Sequence, residues 1–113
     1  MKEVKAIIRP SKLLEVTEEL HEIEGLPGVT ISEIKGFGKR RAKNAKDKSV
    51  YELVEFVAYL KLEVVIEDEM VDEVVKVIQK YSHTGNSGDG KIFVSTIDDV
   101  IKIRTNERGK DAI

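Results

Sequence analysis

A chain of 113 residues supplies one domain and leaves no length for a catalytic unit joined to a regulatory one. Hydrophobic residues at 41% and charged residues at 35% are enough for a single core and too apolar for a disordered tail. Nineteen Lys and Arg against twenty-one Asp and Glu, net −2, give no bulk attraction to nucleic acid, and the lack of cysteine excludes a disulfide scaffold, a thiolate zinc site and thiol catalysis.

In chain order, residues 3–9 contain Val4, Ala6, Ile7 and Ile8 and read as a first strand, stopped at Pro10, which cannot donate to a ladder. Ser11 is the expected N-cap of a helix in which Leu13, Val16, Leu20 and Ile23 recur at helical spacing; Gly25 and Gly28 around Pro27 end it. Residues 29–34 form a β-branched second strand that runs into Gly36, Phe37 and Gly38. Leu60, Leu62, Val64 and Ile66 alternate with Tyr59, Lys61, Glu63 and Val65, the period of a half-buried strand. Glu67, Asp68 and Glu69 place negative charge at the start of a second helix, whose stripe is Val71, Val74, Val75, Ile78 and Tyr81. Beyond a glycine-rich stretch at 85–90, residues 91–95 form a fourth strand and residues 100–105 a short edge strand.

This β-α-β-β-α-β order implies an α+β, ferredoxin-like single domain over 1–113, an antiparallel sheet with both helices on one face. The other face then needs a partner or a polar surface. Leu62, Val64 and their neighbours leave too few charges for two wet faces, so self-association is expected. No segment reaches the roughly 18 apolar residues of a membrane span, and residues 1–9 lack a leader's apolar centre, so the chain reads as soluble and cytoplasmic. The connection between strands two and three, residues 39–56, exceeds any hairpin loop, the length of a functional or disordered segment.

Thr84-Gly85-Asn86-Ser87-Gly88-Asp89-Gly90-Lys91 concentrates three of the eight glycines between a helix and a strand. Glycine admits positive φ and lets main-chain N–H groups converge on an anion, and Lys91 adds a point charge, a pattern that suits phosphate. It is not a Walker loop, since no helix follows the lysine. The plainer reading, a helix C-cap at Gly85 and a tight turn into the last strand, stands beside it. Lys102 and Arg104 are spaced to leave one face of an extended segment, with Arg108 beyond them. Such cations suit a polyphosphate or a solvated surface.

Three of these segments carry a resemblance: Gly36-Phe37-Gly38; Thr84-Gly85 with Gly88-Asp89-Gly90-Lys91-Ile92-Phe93; and Ile103-Arg104-Thr105 with the ending Asp111-Ala112-Ile113. Together with the opening Ala6-Ile7-Ile8-Arg9-Pro10, they make the chain resemble the nitrogen regulatory P-II signal-transduction proteins over nearly its whole length. The resemblance implies a homotrimer with sheets lining its centre and ATP or ADP in the clefts between subunits, magnesium accompanying ATP. It places Gly88, Asp89, Gly90 and Lys91 around the phosphates, with Lys102 and Arg104 reaching them from the neighbouring subunit. Ile8, Thr30, Gly36, Phe37, Gly38, Lys39, Arg40, Glu63 and Val65 match further nucleotide positions near the base, the ribose and the root of the long loop. Glu63 opposite Lys91 would let a carboxylate hold or release the phosphate cation according to occupancy. No metal ligands and no catalytic residues are assigned.

The sequence also departs from the family. The Tyr-Arg-Gly-Ala-Glu-Tyr stretch carrying the modified tyrosine is replaced by Lys48-Ser49-Val50-Tyr51-Glu52-Leu53, so neither Ser49 nor Tyr51 is assigned as a modification site. Lys39-Arg40 stands for Arg-Gln, and Tyr59 for a lysine that pairs with 2-oxoglutarate, which speaks against sensing of that metabolite. Asn86 stands where a lysine is common, and Lys102 replaces an arginine, a point charge for a bidentate fork.

Within ten residues of the long loop, 39–48, Lys39, Arg40, Arg41, Lys43, Lys46 and Lys48 oppose Asp47 alone, so this stretch carries +5 and the remaining chain −7. The concentration suits an acidic partner surface, a phosphate or nucleic acid, and equally a solvated loop extended by self-repulsion. Residues 50–60 are apolar for a loop, a segment a partner would bury. His21 and His83 have no triad partners, so no enzyme is expected. The expected function is a regulator whose ATP or ADP occupancy changes the 39–56 arm, through a hinge at Gly36 and Gly38, and so controls a target protein, a membrane transporter being the family precedent. The alternative is a ferredoxin-like RNA-binding module using the basic loop, although Phe93 is the lone aromatic of its strand.

Overall fold

A computed structural model describes residues 1–38 and 56–113. Strands β1 (Lys2–Ile8), β2 (Thr30–Gly36), β3 (Val57–Ile66) and β4 (Lys91–Thr96) form one sheet in the order β2-β3-β1-β4, and every neighbouring pair is antiparallel. Helices α1 (Leu13–His21) and α2 (Val71–Ser82) pack against each other, and α2 lies on β1. The expected ferredoxin-like α+β arrangement is the one observed.

Alternation in the strands decides which face is covered. Val4, Ala6 and Ile8 of β1 and Leu60, Leu62, Val64 and Ile66 of β3 are buried under Val16, Leu20, Val74 and Ile78 of the helices. The register pairs Val4 with Val64 and Val94, so these positions share the face that carries the helices, although Val94, on the edge strand, is left exposed. Burying such side chains is worth roughly 1.5–3 kcal/mol each, which is what fixes the strand parity.

Both helices start differently from the sequence reading. Pro10–Lys12 is a 3-10 turn, with Lys12 N–H donating to Arg9 O at 3.0 Å, and α1 begins at Leu13 with no side-chain cap; Ser11 lies inside the turn. Proline's fixed φ starts a tight turn at once, so the helix needs no Ser11 cap. Asp68–Met70 is likewise a 3-10 turn before α2, and Asp68 pairs with the terminal amine of Met1 at 3.0 Å. That hydrogen bond and the amine's charge hold the Asp68 carboxyl below its ordinary range.

Residues 100–105 do not form the expected edge strand. Ile101 makes a single bridge to Arg108, Lys102 N–H donates to Glu107 O at 2.9 Å, and Asn106 takes φ 62°, so the segment is a tight hairpin tip. Left-handed backbone at an asparagine reverses the chain before a ladder can extend.

The open face is also more polar than expected. Glu3, Lys5 and Ile7 of β1 lie beside Lys61, Glu63 and Val65 of β3 and Lys91, Phe93 and Ser95 of β4. Lys61 pairs with Glu63 at 3.5 Å, and the Lys5 ammonium lies 5.5 Å from the Phe93 ring centre. The inference that charge is too sparse for a wet second face is therefore corrected: both signs are interleaved there, because Lys and Glu occupy the alternate positions of β1 and β3.

Candidate functional site

The turn from Thr84 to Lys91 joins α2 to β4. Helix α2 stops at Ser82, and His83 is already extended, so Gly85 is not its cap. Gly85, Gly88 and Gly90 take φ of 90°, 93° and 94°. At Gly90 a Cβ would stand 1.7 Å from Ile7 O, so only glycine lets the turn lie against β1.

Asp89 organises the turn from within. Its carboxylate accepts hydrogen bonds from Thr84 N–H at 2.8 Å, Gly85 N–H at 2.9 Å, the Thr84 hydroxyl, and Arg9 Nε at 3.0 Å. The Thr84 hydroxyl, then the Thr84 and Gly85 amides and Arg9, hold the carboxyl far below the ordinary carboxylate range. Arg9 Nη2 also donates to Ser87 O at 2.6 Å. The carboxylate therefore faces its own loop. Among the described residues no acceptor engages the main-chain amides of Ser87, Gly88, Asp89 or Gly90. The arrangement offers amide donors and the exposed Lys91 to an oxyanion.

The other expected residues separate into distinct places. Gly36 ends β2 opposite Val57, and Phe37 and Gly38 lead away from it. Phe37 meets Phe56 edge to face at 5.6 Å, which closes the root of the long loop. Thr30 lies across from Glu63 and, with Val65, lines a groove of about 440 Å³ whose other wall includes Val100 and Ile113. Lys102 and Arg104 sit in the hairpin after β4, whereas the turn precedes it. The six residues of β4, at about 3.3 Å each, put its own two ends roughly 20 Å apart.

Three expectations change here. Lys102 and Arg104 do not alternate along an extended segment, since Arg104 is in the hairpin tip; Arg108 is bound to Asp99 at 2.8 Å and holds that carboxyl below its ordinary range. Glu63 is not opposite Lys91: the register places Lys5 beside Glu63 and Ile7 beside Lys91, and Glu63 pairs with Lys61. Ile8 is 1% exposed on the covered face, so its side chain belongs to the core and only its main chain can approach a ligand. Lys39, Arg40, the remaining loop cations, Ser49 and Tyr51 lie outside the described residues.

Arg9 and Thr84, to which the sequence assigns no site role, brace the turn, and Tyr59, likewise unassigned, lies beside it. Arg9 carries a local signal, a cation at a strand's end just before proline. Its partner Asp89 is 80 residues away and carries none.

Comparison with known proteins shows the family. The P-II family model, described as nitrogen regulatory protein P-II, matches residues 1–107. Relatives named nitrogen regulatory protein P-II from Rhodospirillum rubrum and Azospirillum brasilense are 49% and 46% identical over 113 residues, all of this chain and all of theirs. A crystal structure of Arabidopsis thaliana PII bound to citrate superposes with a TM-score of 0.79 at 38% identity, covering 99% of this chain and 91% of that one.

Proposed function

Because this chain belongs to the nitrogen regulatory protein P-II family, a family of signal-transduction regulators, we propose that it senses ATP or ADP and relays occupancy to a target protein. The observation that carries this reading is the turn at Gly88 to Lys91: glycines at positive φ, main-chain amides without acceptors among the described residues, and an exposed lysine beside them. Converging amides and one ammonium suit the oxygens of a di- or triphosphate.

The dispersal of the other residues supports a cleft shared between subunits. Thr30, Glu63 and Val65 line their own groove, and Lys102 and Arg104 lie at the far end of β4 from the turn. One protomer cannot bring them together; a homotrimer in which a neighbour's hairpin reaches the turn can. Magnesium would enter on the triphosphate, since the described residues hold no group of three or more His, Cys, Asp or Glu able to bind a metal. The citrate in the Arabidopsis relative supports a small polyanion as the ligand class. No chemical step is assigned to this chain. Its output is contact between the long loop and a protein partner, a membrane transporter by family precedent. Among the described residues no helix is long and apolar enough to cross a membrane.

Calorimetry with ATP, ADP, AMP and adenosine on the wild type and Lys91→Ala tests the reading. The substitution should weaken ATP by roughly tenfold or more and leave adenosine nearly unchanged. Equal losses for both ligands overturn the phosphate role. Salt-sensitive RNA retention indifferent to ATP would instead favour the RNA-binding alternative.

A further inference from the structure

One side chain lies beside both glycine segments of the candidate site. Tyr59, the third residue of β3, pairs with Ile34 of β2, so its ring lies diagonally against Gly36 on the open face. A Cβ built on Gly36 would lie 4.0 Å from ring atoms Cδ2 and Cε2 of Tyr59. A Cβ built on Gly88 would lie 3.7 Å from the Tyr59 hydroxyl. The ring therefore lies beside bare main chain at the root of the long loop, and its hydroxyl lies beside bare main chain in the turn.

On the same side of Gly88 lies the Arg9 guanidinium, 3.3 Å from the same Cβ position, and Arg9 is fixed by Asp89 and Ser87 O. Gly88 is thus bordered by an anchored cation and by a tyrosine hydroxyl. The root is closed on its far side by Phe37 against Phe56. A tyrosine has two side-chain torsions, so it transmits displacement better than a flexible chain would.

From these contacts we infer that Tyr59 is a positioning residue that couples the turn to the root of the long loop: movement of Gly88 shifts the hydroxyl, and the ring carries the shift to Gly36. The link rests on the nucleotide reading above, because occupancy of the turn is what moves Gly88. It requires no second metabolite, since the path is a single side chain. The coupling consists of a contact whose two ends are both biased by the ligand.

Hydrogen exchange with and without ADP tests it on the wild type, Tyr59→Phe and Tyr59→Ala. Tyr59→Phe keeps the ring on Gly36 and removes only the hydroxyl beside Gly88; Tyr59→Ala removes both contacts. In the wild type, ADP should slow exchange in peptides covering residues 30–38 and 56–60 by at least about twofold. Both variants should bind ADP within about threefold of the wild type, with Tyr59→Phe losing more than half of that slowing and Tyr59→Ala all of it. Slowing that persists in both variants overturns the link and leaves nucleotide sensing intact. A loss of ADP affinity beyond about tenfold in Tyr59→Phe also overturns it, by placing Tyr59 in the binding site itself. A wild type that binds neither ADP nor ATP overturns both readings.

Discussion

The carboxylate of Asp89 accepts a hydrogen bond from Arg9 Nε at 3.0 Å across 80 residues of sequence, so the turn ahead of β4 is fastened to the end of β1. The two side chains are one-quarter to one-third exposed, and the pair acts with the Thr84 and Gly85 donors as one network. Its effect is to anchor the turn at Thr84, Gly85, Ser87 and Asp89 while Gly88 makes none of these bonds.

The ranking of donors around Asp89 gives a titration prediction. Thr84 contributes more than Arg9 to lowering this carboxyl, so Thr84→Ala should raise its titration further than Arg9→Ala does, read by carboxyl-resolved NMR between acid and neutral pH. The folded value lies below the unfolded carboxylate value of about 3.9. The contribution to stability is therefore complete above that value and is lost as pH falls through the folded one. An equal or larger rise in Arg9→Ala would show that the guanidinium, and not the threonine, holds the charge.

Glycine replacement separates packing from flexibility. Gly90→Ala must clear Ile7 O, 1.7 Å from its Cβ, at φ 94°, and should cost about 3 kcal/mol or more in urea unfolding. Gly28 has nothing within 4 Å and no positive φ, so Gly28→Ala should stay within about 0.5 kcal/mol. Similar costs at the two positions would mean that the turn does not seat against β1 in solution.

The outer edge of β4 and the hairpin expose Val94 at 48% and Ile103 at 101%. Uncovered apolar side chains beside an edge strand are what a neighbouring subunit would bury. Ile103→Asp should convert the proposed trimer to monomer by sedimentation while leaving circular dichroism unchanged. A trimer that survives the substitution would take the hairpin out of the interface and with it the route by which Lys102 and Arg104 reach a neighbour's turn.

Much of the fold can be read along the chain because it follows from local period. Leu60, Leu62, Val64 and Ile66 recur every second residue, and Val71, Val74, Val75 and Ile78 recur at helical spacing; each pattern admits one backbone geometry that buries its apolar side. The glycines at 85, 88 and 90 announce positive φ for a similar reason, since few other residues accept it. What the chain order does not reveal is who meets whom across the sheet. Asp89 belongs to Arg9 and Thr84, Glu63 to Lys61, and Tyr59 to both Gly36 and Gly88, because register brings together residues far apart in sequence. The hairpin at Lys102 to Arg104 likewise depends on left-handed backbone at Asn106, which an alternating reading of the same residues cannot see. Local periodicity is a property of the backbone repeat, whereas the choice of partner is a property of the packed whole.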